Sequence, residues 1–202
     1  KKRINYTKDY DVVINTDYDN QITKKYFTKK IEKKYNSFAH TTILQHEKIS
    51  NRIAVQIFTK KGPLAFLPIS DYETSIVYSI SNYLKNQKEI NNLIYNYNFK
   101  YNLKKINKIN SFKLRGLSLR SYYHNNILAF GDLLHKIHPL AGQGFNMTIR
   151  DIKILNDLIQ KRIDLGLPLD STLNKQFENN QKHKNYLFSS GIDFIYEFFN
   201  FE

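Results

Sequence analysis

Cysteine is absent from the 202-residue sequence, which excludes disulfide bonds and thiolate-ligated metal sites. Long hydrophobic runs are absent too, since no apolar stretch approaches the roughly 20 residues that a membrane-spanning helix requires. The basic opening segment KKRINYTKDY is not followed by an apolar stretch, so we expect no signal peptide there. Glycine is scarce, and three of the seven glycines, Gly131, Gly142 and Gly144, fall in one short segment.

Acidic residues are few: 18 Asp and Glu stand against 31 Lys and Arg, which gives a formal net charge of +13. Such an excess favours nucleic acid or an anionic membrane as a partner. The lysines, however, are scattered in pairs such as Lys24-Lys25 and Lys60-Lys61 and build no single basic helix. Together with the abundant Asn, Ile and Tyr, they are typical of an A/T-rich genome. We therefore expect no specific nucleic-acid partner and basic residues spread over all faces.

Short apolar, β-branched segments follow one another closely in the first half of the chain. The gaps between them leave no room for crossover helices, so they predict an antiparallel sheet. Its strands are predicted at 37–44, 52–59, 63–69, 74–80 and 111–123, the last with a break at Gly116. The segments DVVINT (11–16) and NILAF (126–130) predict two further buried strands.

Helical patterns occupy most of the remaining sequence. Residues 21–34 predict a weak helix, 82–108 a polar helix and 170–188 a third, and the predicted fold class is mixed α/β. Another helix begins near Gly144, and a loop at 166–168 ends it. Its apolar residues recur at steps of three and four and predict one buried face: Phe145, Ile149, Ile152, Leu155 and Ile159.

The segment GDLLHKIHPLAGQGFNMTIRDI (131–152) places its glycines between a predicted strand and a predicted helix. Gly142 and Gly144 allow close backbone approach, and the helix start presents N–H groups and the positive end of the dipole. Asp132, at the end of the strand, can accept hydrogen bonds from ribose or ribityl hydroxyls. The alternative is an ordinary strand-turn-helix junction in which the glycines serve only the turn.

Two other interpretations concern single residues. Asp132, His135 and His138 recur at three-residue steps, and a facial metal site uses two histidines and one carboxylate. Pro139 interrupts the segment, so we expect no metal and instead a packed, hydrogen-bonded His135. Arg120, with Arg115, could bind a phosphate or a nicotinamide cofactor, or could lie on a solvated strand edge.

The same segment resembles the Gly-Asp motif of FAD-dependent aromatic hydroxylases, in the branch that hydroxylates polyprenylated phenols in ubiquinone biosynthesis. The matching residues are Gly131, Asp132, His135, His138, Pro139, Leu140, Ala141, Gly142, Gln143, Gly144, Asn146 and Asp151. A second block, GPLAFLPIS (62–70), is similar to a segment of that family's substrate domain. The resemblance covers roughly residues 11 to 200.

The resemblance implies a cofactor and a reaction. FAD would contact Asp132 through its ribityl or pyrophosphate region and Pro139 through its ring. The backbone from Gly142 to Asn146, with Gln143, Gly144 and Phe145 between them, would contact the pyrimidine edge. NAD(P)H and O₂ would be co-substrates and a polyprenylated phenol the substrate, in a cytoplasmic protein loosely associated with the inner membrane face or with a quinone-synthesis complex.

The resemblance also implies domain boundaries. Residues 1–35 would be a remnant of the FAD domain, 36–123 the substrate-domain sheet, and 124–202 the return to the FAD domain. The family's Gly-x-Gly-x-x-Gly motif has no counterpart here. Its second flavin motif reads Asp17-Tyr18-Asp19-Asn20-Gln21, in which Asp17 remains a candidate cofactor residue. The alternative function is therefore a non-catalytic fragment, a decaying copy, or a split-gene half whose N-terminal half is another chain; by itself the chain would be inactive.

Overall fold

The computed structural model describes residues 9–81, 87–139 and 142–198 and shows a mixed α/β fold, as predicted. Its strands are β1 (Val13–Asn15), β2 (Lys30–His46), β3 (Val55–Thr59), β4 (Gly62–Pro68), β5 (Glu73–Ser81), β6 (Leu103–Ile106), β7 (Asn110–Leu119), β8 (Tyr123–His124), β9 (Ile127–Ala129) and β10 (His135–Lys136). Its helices are α1 (Gln21–Tyr26), α2 (Gln87–Tyr97), α3 (Gln143–Asp164) and α4 (Ser171–Phe198). A 3-10 turn spans Gly131–Leu133.

The chain divides into two compact units. The first, here the turn unit, contains residues 1–33 and 115–195. The second, here the sheet unit, contains residues 34–114 and 196–202. The segment 131–152 therefore lies wholly in the turn unit.

The sheet unit is built on an antiparallel sheet in which β2 pairs with β5, β5 with β4 and β4 with β3. β7 is also a neighbour of β2, so the sheet predicted from 37–80 and 111–123 is confirmed. The alternation of the strands places their larger apolar side chains on one face, where two residues of α2 join them. This core contains Leu44, Leu64, Phe66, Ile76, Tyr78, Ile80, Ile90 and Ile94.

Three details of the predicted elements are wrong. The helix predicted at 21–34 ends at Tyr26, and the lysine-rich residues after it start β2, because their side chains have no helical apolar period to bury. The helix predicted at 82–108 is helical only in α2, and residues 82–86 lie outside the described part; Leu103 and Ile106 instead pack on the sheet core from β6. No break occurs at Gly116, where β7 continues.

The turn unit has a small sheet in which β1 runs parallel to β9, and β8 pairs with β9 antiparallel. The paired residues of the parallel strands run from Val13↔Ile127 to Asn15↔Ala129. α3 and α4 contribute apolar side chains to the same core, which includes Leu128, Leu134, Leu155 and Phe177. The 3-10 turn and α3 are therefore anchored in the same hydrophobic core.

The face that α3 buries differs from the predicted one. Phe145, Ile149 and Ile152 are 73%, 50% and 49% exposed, whereas Leu155 is buried as expected. The buried positions are Met147, Asp151, Leu155 and Leu158, which also recur at helical spacing. A charged residue occupies the centre of this face, so an apolar period alone selected the wrong side of the helix.

α4 extends ten residues beyond the predicted end at residue 188, to Phe198. In the turn unit its buried side includes Phe177, Gln181, Asn185 and Ile192. The predicted end lies directly before Ser189, Ser190 and Gly191, which are weak helix formers, and α4 continues through them. Among residues 9–81, 87–139 and 142–198, no helix combines the length and the apolar character needed to cross a membrane.

Gly62 is required by the backbone of β4. Its φ is +132°, and a Cβ there would lie 2.0 Å from the carbonyl oxygen of Ser79. We expect Gly62→Ala to lower the free energy of unfolding by at least about 3 kcal/mol, because two backbones must separate. Gly191→Ala is the matched control: no atom lies within 4 Å of its Cβ, so the helix should gain about 0.5–1 kcal/mol. Urea unfolding measures both, and equal effects would contradict the assignment.

His138 should make the turn unit sensitive to acid. Its side chain is 0% exposed, and burial, aided by Lys33, lowers its pKa from 6.5 to about 4. Between pH 4 and pH 6.5 the unfolded chain then binds more protons than the folded chain, so acid favours unfolding. The free energy of unfolding is therefore unaffected by His138 above pH 6.5 and decreases as the pH falls toward 4. We expect it to remove about 2 kcal/mol of stability between pH 7 and pH 4.5.

The measurement is urea unfolding at both pH values for the natural protein and for His138→Gln, which cannot titrate. The difference between the two proteins isolates His138 from the other ionisable groups. An equally steep acid loss in His138→Gln would show that this histidine does not cause it.

Candidate functional site

Asp132 is held at the end of β9 by the residues around it. The chain turns at Gly131–Leu133, and Leu133 and Leu134, which are 1% and 0% exposed, anchor the turn in the core. Asp132 itself is exposed. The structure places Asp132 at the end of the strand, as predicted, and its contact with a cofactor stays a prediction.

Asp17 follows the carboxyl end of β1, the parallel neighbour of β9. The Phe130 N–H donates to the Asn15 carbonyl over 2.9 Å, which joins the two strand ends. Asp17 and Asp132 therefore follow the same edge of one parallel pair, the edge at which α/β sheets bind ligands. Asp17 also shapes its own loop, since its Oδ1 accepts the Asp19 N–H over 2.9 Å.

The divergent second motif forms an ordered turn. Tyr18 is not among the described non-glycine residues with positive φ, which are Asn36 and Asn125, so it replaces a glycine without left-handed strain. Its hydroxyl donates to Glu32 over 3.0 Å. Asn20 caps α1 by accepting the Thr23 N–H over 2.8 Å.

The start of α3 is open. Gly142 is its N-cap residue, with φ 63° and ψ 24°, and no side chain caps the helix. Among the residues that the structure describes, a Cβ at Gly142 would meet no atom within 4 Å, and a Cβ at Gly144 would meet only the Ile137 side chain, 3.9 Å away. The first turn of α3 contains no acidic residue that would offset the positive end of the helix dipole. Leu140 and Ala141 lie outside the described residues.

His135 connects the strand after the turn to α3. Its Nε2 donates to Asp151 Oδ2 over 2.9 Å, and the two side chains are 2% and 0% exposed. The expectation of a packed, hydrogen-bonded His135 is confirmed. Asp151 was noticed in the sequence only as a matching residue; its place at helical spacing from Met147 and Leu155 was the available signal that it faces inward.

Asn185 of α4 extends this connection. Its Nδ2 lies 3.4 Å from Asp151 Oδ2, and its Oδ1 accepts a hydrogen bond from Arg150. Tyr122 is hydrogen-bonded to Asn185, and burial raises the pKa of this phenol to about 12, so it remains protonated near neutral pH. Asn185 was not among the residues that the sequence singled out.

The described residues contain no group of three His, Cys, Asp or Glu side chains that could hold a metal ion. His135 uses its Nε2 on Asp151, and Asp132 is exposed while His138 is buried. The three-residue spacing of Asp132, His135 and His138 therefore does not bring their side chains together as metal ligands.

Arg120 lines a groove of about 550 Å³ in the turn unit. Glu178 in the same groove accepts hydrogen bonds from the Tyr122 N–H and from Lys182, so its charge is already compensated. Lys182 also donates to the Arg120 carbonyl. Arg115 is exposed and does not line this groove among the residues described. Arg120 thus lies in a concave surface and Arg115 on an open one. Anion binding and a solvated strand edge both stay predictions for these arginines.

Comparison with known proteins identifies relatives over part of the chain. The family described as FAD binding domain matches residues 82–163. The 3-demethoxyubiquinol 3-hydroxylase of Escherichia coli is 30% identical over 158 residues, which are 72% of this chain and 39% of that protein. The mitochondrial ubiquinone biosynthesis monooxygenase of Dictyostelium discoideum is 32% identical over 95 residues, 46% of this chain and 19% of that protein.

Solved structures show the same fold. The p-nitrophenol 4-monooxygenase PnpA of Pseudomonas putida has a TM-score of 0.71 at 11% identity and covers 95% of this chain and 51% of its own. PqsL of Pseudomonas aeruginosa, solved with 2-aminobenzoylacetate, has a TM-score of 0.68 at 16% identity. The match covers 94% of this chain and 56% of PqsL.

The chain thus spans 19% and 39% of the two curated relatives described above. The segment that matches the FAD binding domain family includes the glycine-containing start of α3. Residues 82–163 thus match the FAD binding domain family, and a ubiquinone-biosynthesis monooxygenase and a demethoxyubiquinol hydroxylase are among the relatives of the chain.

Proposed function

We propose that the chain is part of an FAD-dependent monooxygenase that hydroxylates a polyprenylated phenol in ubiquinone biosynthesis, with NAD(P)H and O₂ as co-substrates. The single observation that carries this proposal is the placement of Asp17 and Asp132 after neighbouring parallel strands, with the open start of α3 following in the chain. The curated relatives support the substrate class.

The residues present fit the dinucleotide cofactor. Space beside Gly142, where a side chain would meet no protein atom, and a helix start without acidic residues suit the pyrimidine edge of the flavin. In this assignment the backbone from Gly142 to Asn146, which includes Gln143, Gly144 and Phe145, holds that edge, and Pro139 lines the ring. When bound, FAD supplies the activation of O₂ and the transfer of one oxygen atom to the ring.

The protein groups have positioning and electrostatic tasks. The Asp132 carboxylate, and that of Asp17 beside the neighbouring strand, accept hydrogen bonds from cofactor hydroxyls. The α3 dipole stabilises negative charge at its start by about 0.3–1 kcal/mol, and by more where water is excluded. We assign the turn unit to the FAD domain and the sheet unit to the substrate domain.

The sheet unit offers a surface suited to a flat aromatic ring. The face opposite the α2 core carries small side chains in directly paired positions, Ala39↔Ser79, Thr41↔Val77 and Ala65↔Val77. Thr41, Val77 and Ala65 are partly exposed, while Ala39 and Ser79 are buried. The small side chains at the partly exposed positions Thr41, Val77 and Ala65 leave room above this face for a phenol ring, which supports its role as the platform for the substrate.

The alternative is a non-catalytic fragment, a decaying copy or a split-gene half that acts with an N-terminal half on another chain. One observation favours it: Tyr18 stands where the family's second flavin motif has glycine. Flavin absorbance separates the two functions. Purified chain that retains or takes up FAD supports the enzyme, and chain that takes up FAD only with a nucleotide-binding half in trans supports the split protein.

Asp132 and Gly144 provide the direct test. We expect Asp132→Ala to weaken FAD binding about tenfold or more, because cofactor hydroxyls lose a charged acceptor. Gly144→Val should do the same by occupying the space at the helix start. Flavin fluorescence quenching measures the affinity, on the chain alone and with a family N-terminal half in trans.

Asp157→Ala, which removes an exposed carboxylate elsewhere on α3, is the matched control and should leave FAD affinity unchanged. Asp132→Ala should also leave the unfolding midpoint unchanged, since its side chain is exposed. Natural FAD affinity in Asp132→Ala would refute the assignment of this turn as the cofactor site.

A further inference from the structure

We propose that His135 and Asp151 form a tether, a buried hydrogen bond that fixes the start of α3 relative to the turn at Asp132 and so controls cofactor affinity without touching the cofactor. This inference rests on the proposed function for its cofactor but on the structure for its mechanism. Both side chains are almost completely buried, so they act as positioning residues through the backbone that they hold.

The two residues of the tether lie before and after the residues assigned to the cofactor, Pro139 and Gly142 to Asn146, in the chain. His135 is in β10, whose backbone pairs with β7 through His135↔Ser118. Asp151 lies eight residues beyond Gln143, about 12 Å along the helix axis. Pro139 and Gly142 lie between them in the chain. A bond from β10 to the third turn of α3 therefore fixes both the distance and the rotation of the helix start that follows the Gly142 turn.

The hydrogen bond has a single usable geometry. Asp151 is an acceptor, so His135 Nε2 is the donor, and His135 Nδ1 has no hydrogen-bond partner among the described residues. All of the ring's polar interaction is thus directed at α3. A glutamine can place an amide N–H close to the position of Nε2, whereas a leucine fills similar volume without a donor.

Burial makes this bond costly to lose. A carboxylate that is 0% exposed is stable only when it is hydrogen-bonded or paired with a charge. Asp151 Oδ2 accepts a hydrogen bond from His135 Nε2 and a longer one, 3.4 Å, from Asn185 Nδ2. Its Oδ1 lies 3.5 Å from the guanidinium of Arg150. Without His135 the carboxylate regains a second donor only if α3 moves toward Asn185 of α4 or toward water, because Arg150 lies on α3 itself. That movement displaces the residues from Gly142 to Asn146.

The experiment compares His135→Leu, which removes the donor, with His135→Gln, which restores it. His46→Leu is the matched control, because His46 is 1% exposed and hydrogen-bonded to Thr74 at 3.0 Å, but lies in the sheet unit. Amide ¹⁵N–¹H resonances and hydrogen exchange report on α3, flavin fluorescence quenching reports FAD affinity, and far-UV circular dichroism confirms folding.

We expect His135→Leu to shift the resonances of Gly144–Met147 and to accelerate amide exchange at Met147–Asp151 about tenfold, with FAD affinity about tenfold weaker. His135→Gln should restore all three, and His46→Leu should lower stability without moving them. If His135→Leu does not fold, Asp151→Asn, which keeps an acceptor but removes the charge, should give a smaller displacement of the same resonances.

The results separate the tether from the cofactor assignment. Unmoved α3 resonances in His135→Leu, or the same changes in His46→Leu, would overturn the tether. Shifted resonances with unchanged FAD affinity would overturn its control of the cofactor. Failure of even the natural chain to bind FAD, alone or with an N-terminal half, would count against the proposed function, while the resonances would still decide whether the tether holds α3.

Discussion

The parallel pairing of β1 with β9 is the constraint on which the site depends. Val13–Asn15 meets Ile127–Ala129, so segments more than a hundred residues apart in sequence lie side by side. Because the two strands are parallel, they end at the same edge of the sheet. β1 is followed by a loop that contains Asp17, and β9 by the turn that contains Asp132. An antiparallel pairing of the same residues would place the two carboxylates at opposite ends. Residues 34–114, the larger part of the sheet unit, lie between these two strands in the chain.

Local patterns predicted the parts of the fold whose partners are near in sequence. The hairpins of β3, β4 and β5 follow from apolar alternation and short connections, because such strands have little choice but to pair with one another. β6 escaped prediction because its sequence LKKI is half lysine, and its partner β2 lies about 60 residues away. Only the tertiary pairing makes that segment a strand.

The candidate site was predictable in its outline and not in its support. The glycines and Asp132 carry a local signature, and the structure places them at a strand end and a helix start. The rotation of α3 was not predictable from apolar spacing, because Phe145, Ile149 and Ile152 form as regular a row as the buried one. The buried row includes Asp151, and a hydrophobic period cannot anticipate a charge whose partners, His135 and Asn185, come from other elements.

The exposed apolar row on α3 has a consequence for how molecules of this chain meet in solution. Phe145, Ile149 and Ile152 attract other apolar surfaces, while a formal charge of +13 keeps like molecules apart. The range of that repulsion is about 10 Å at 0.1 M salt and about 3 Å at 1 M. Ionic strength therefore controls the balance between separate and self-associated molecules. The abundant lysines keep the molecules separate at low salt by electrostatic repulsion.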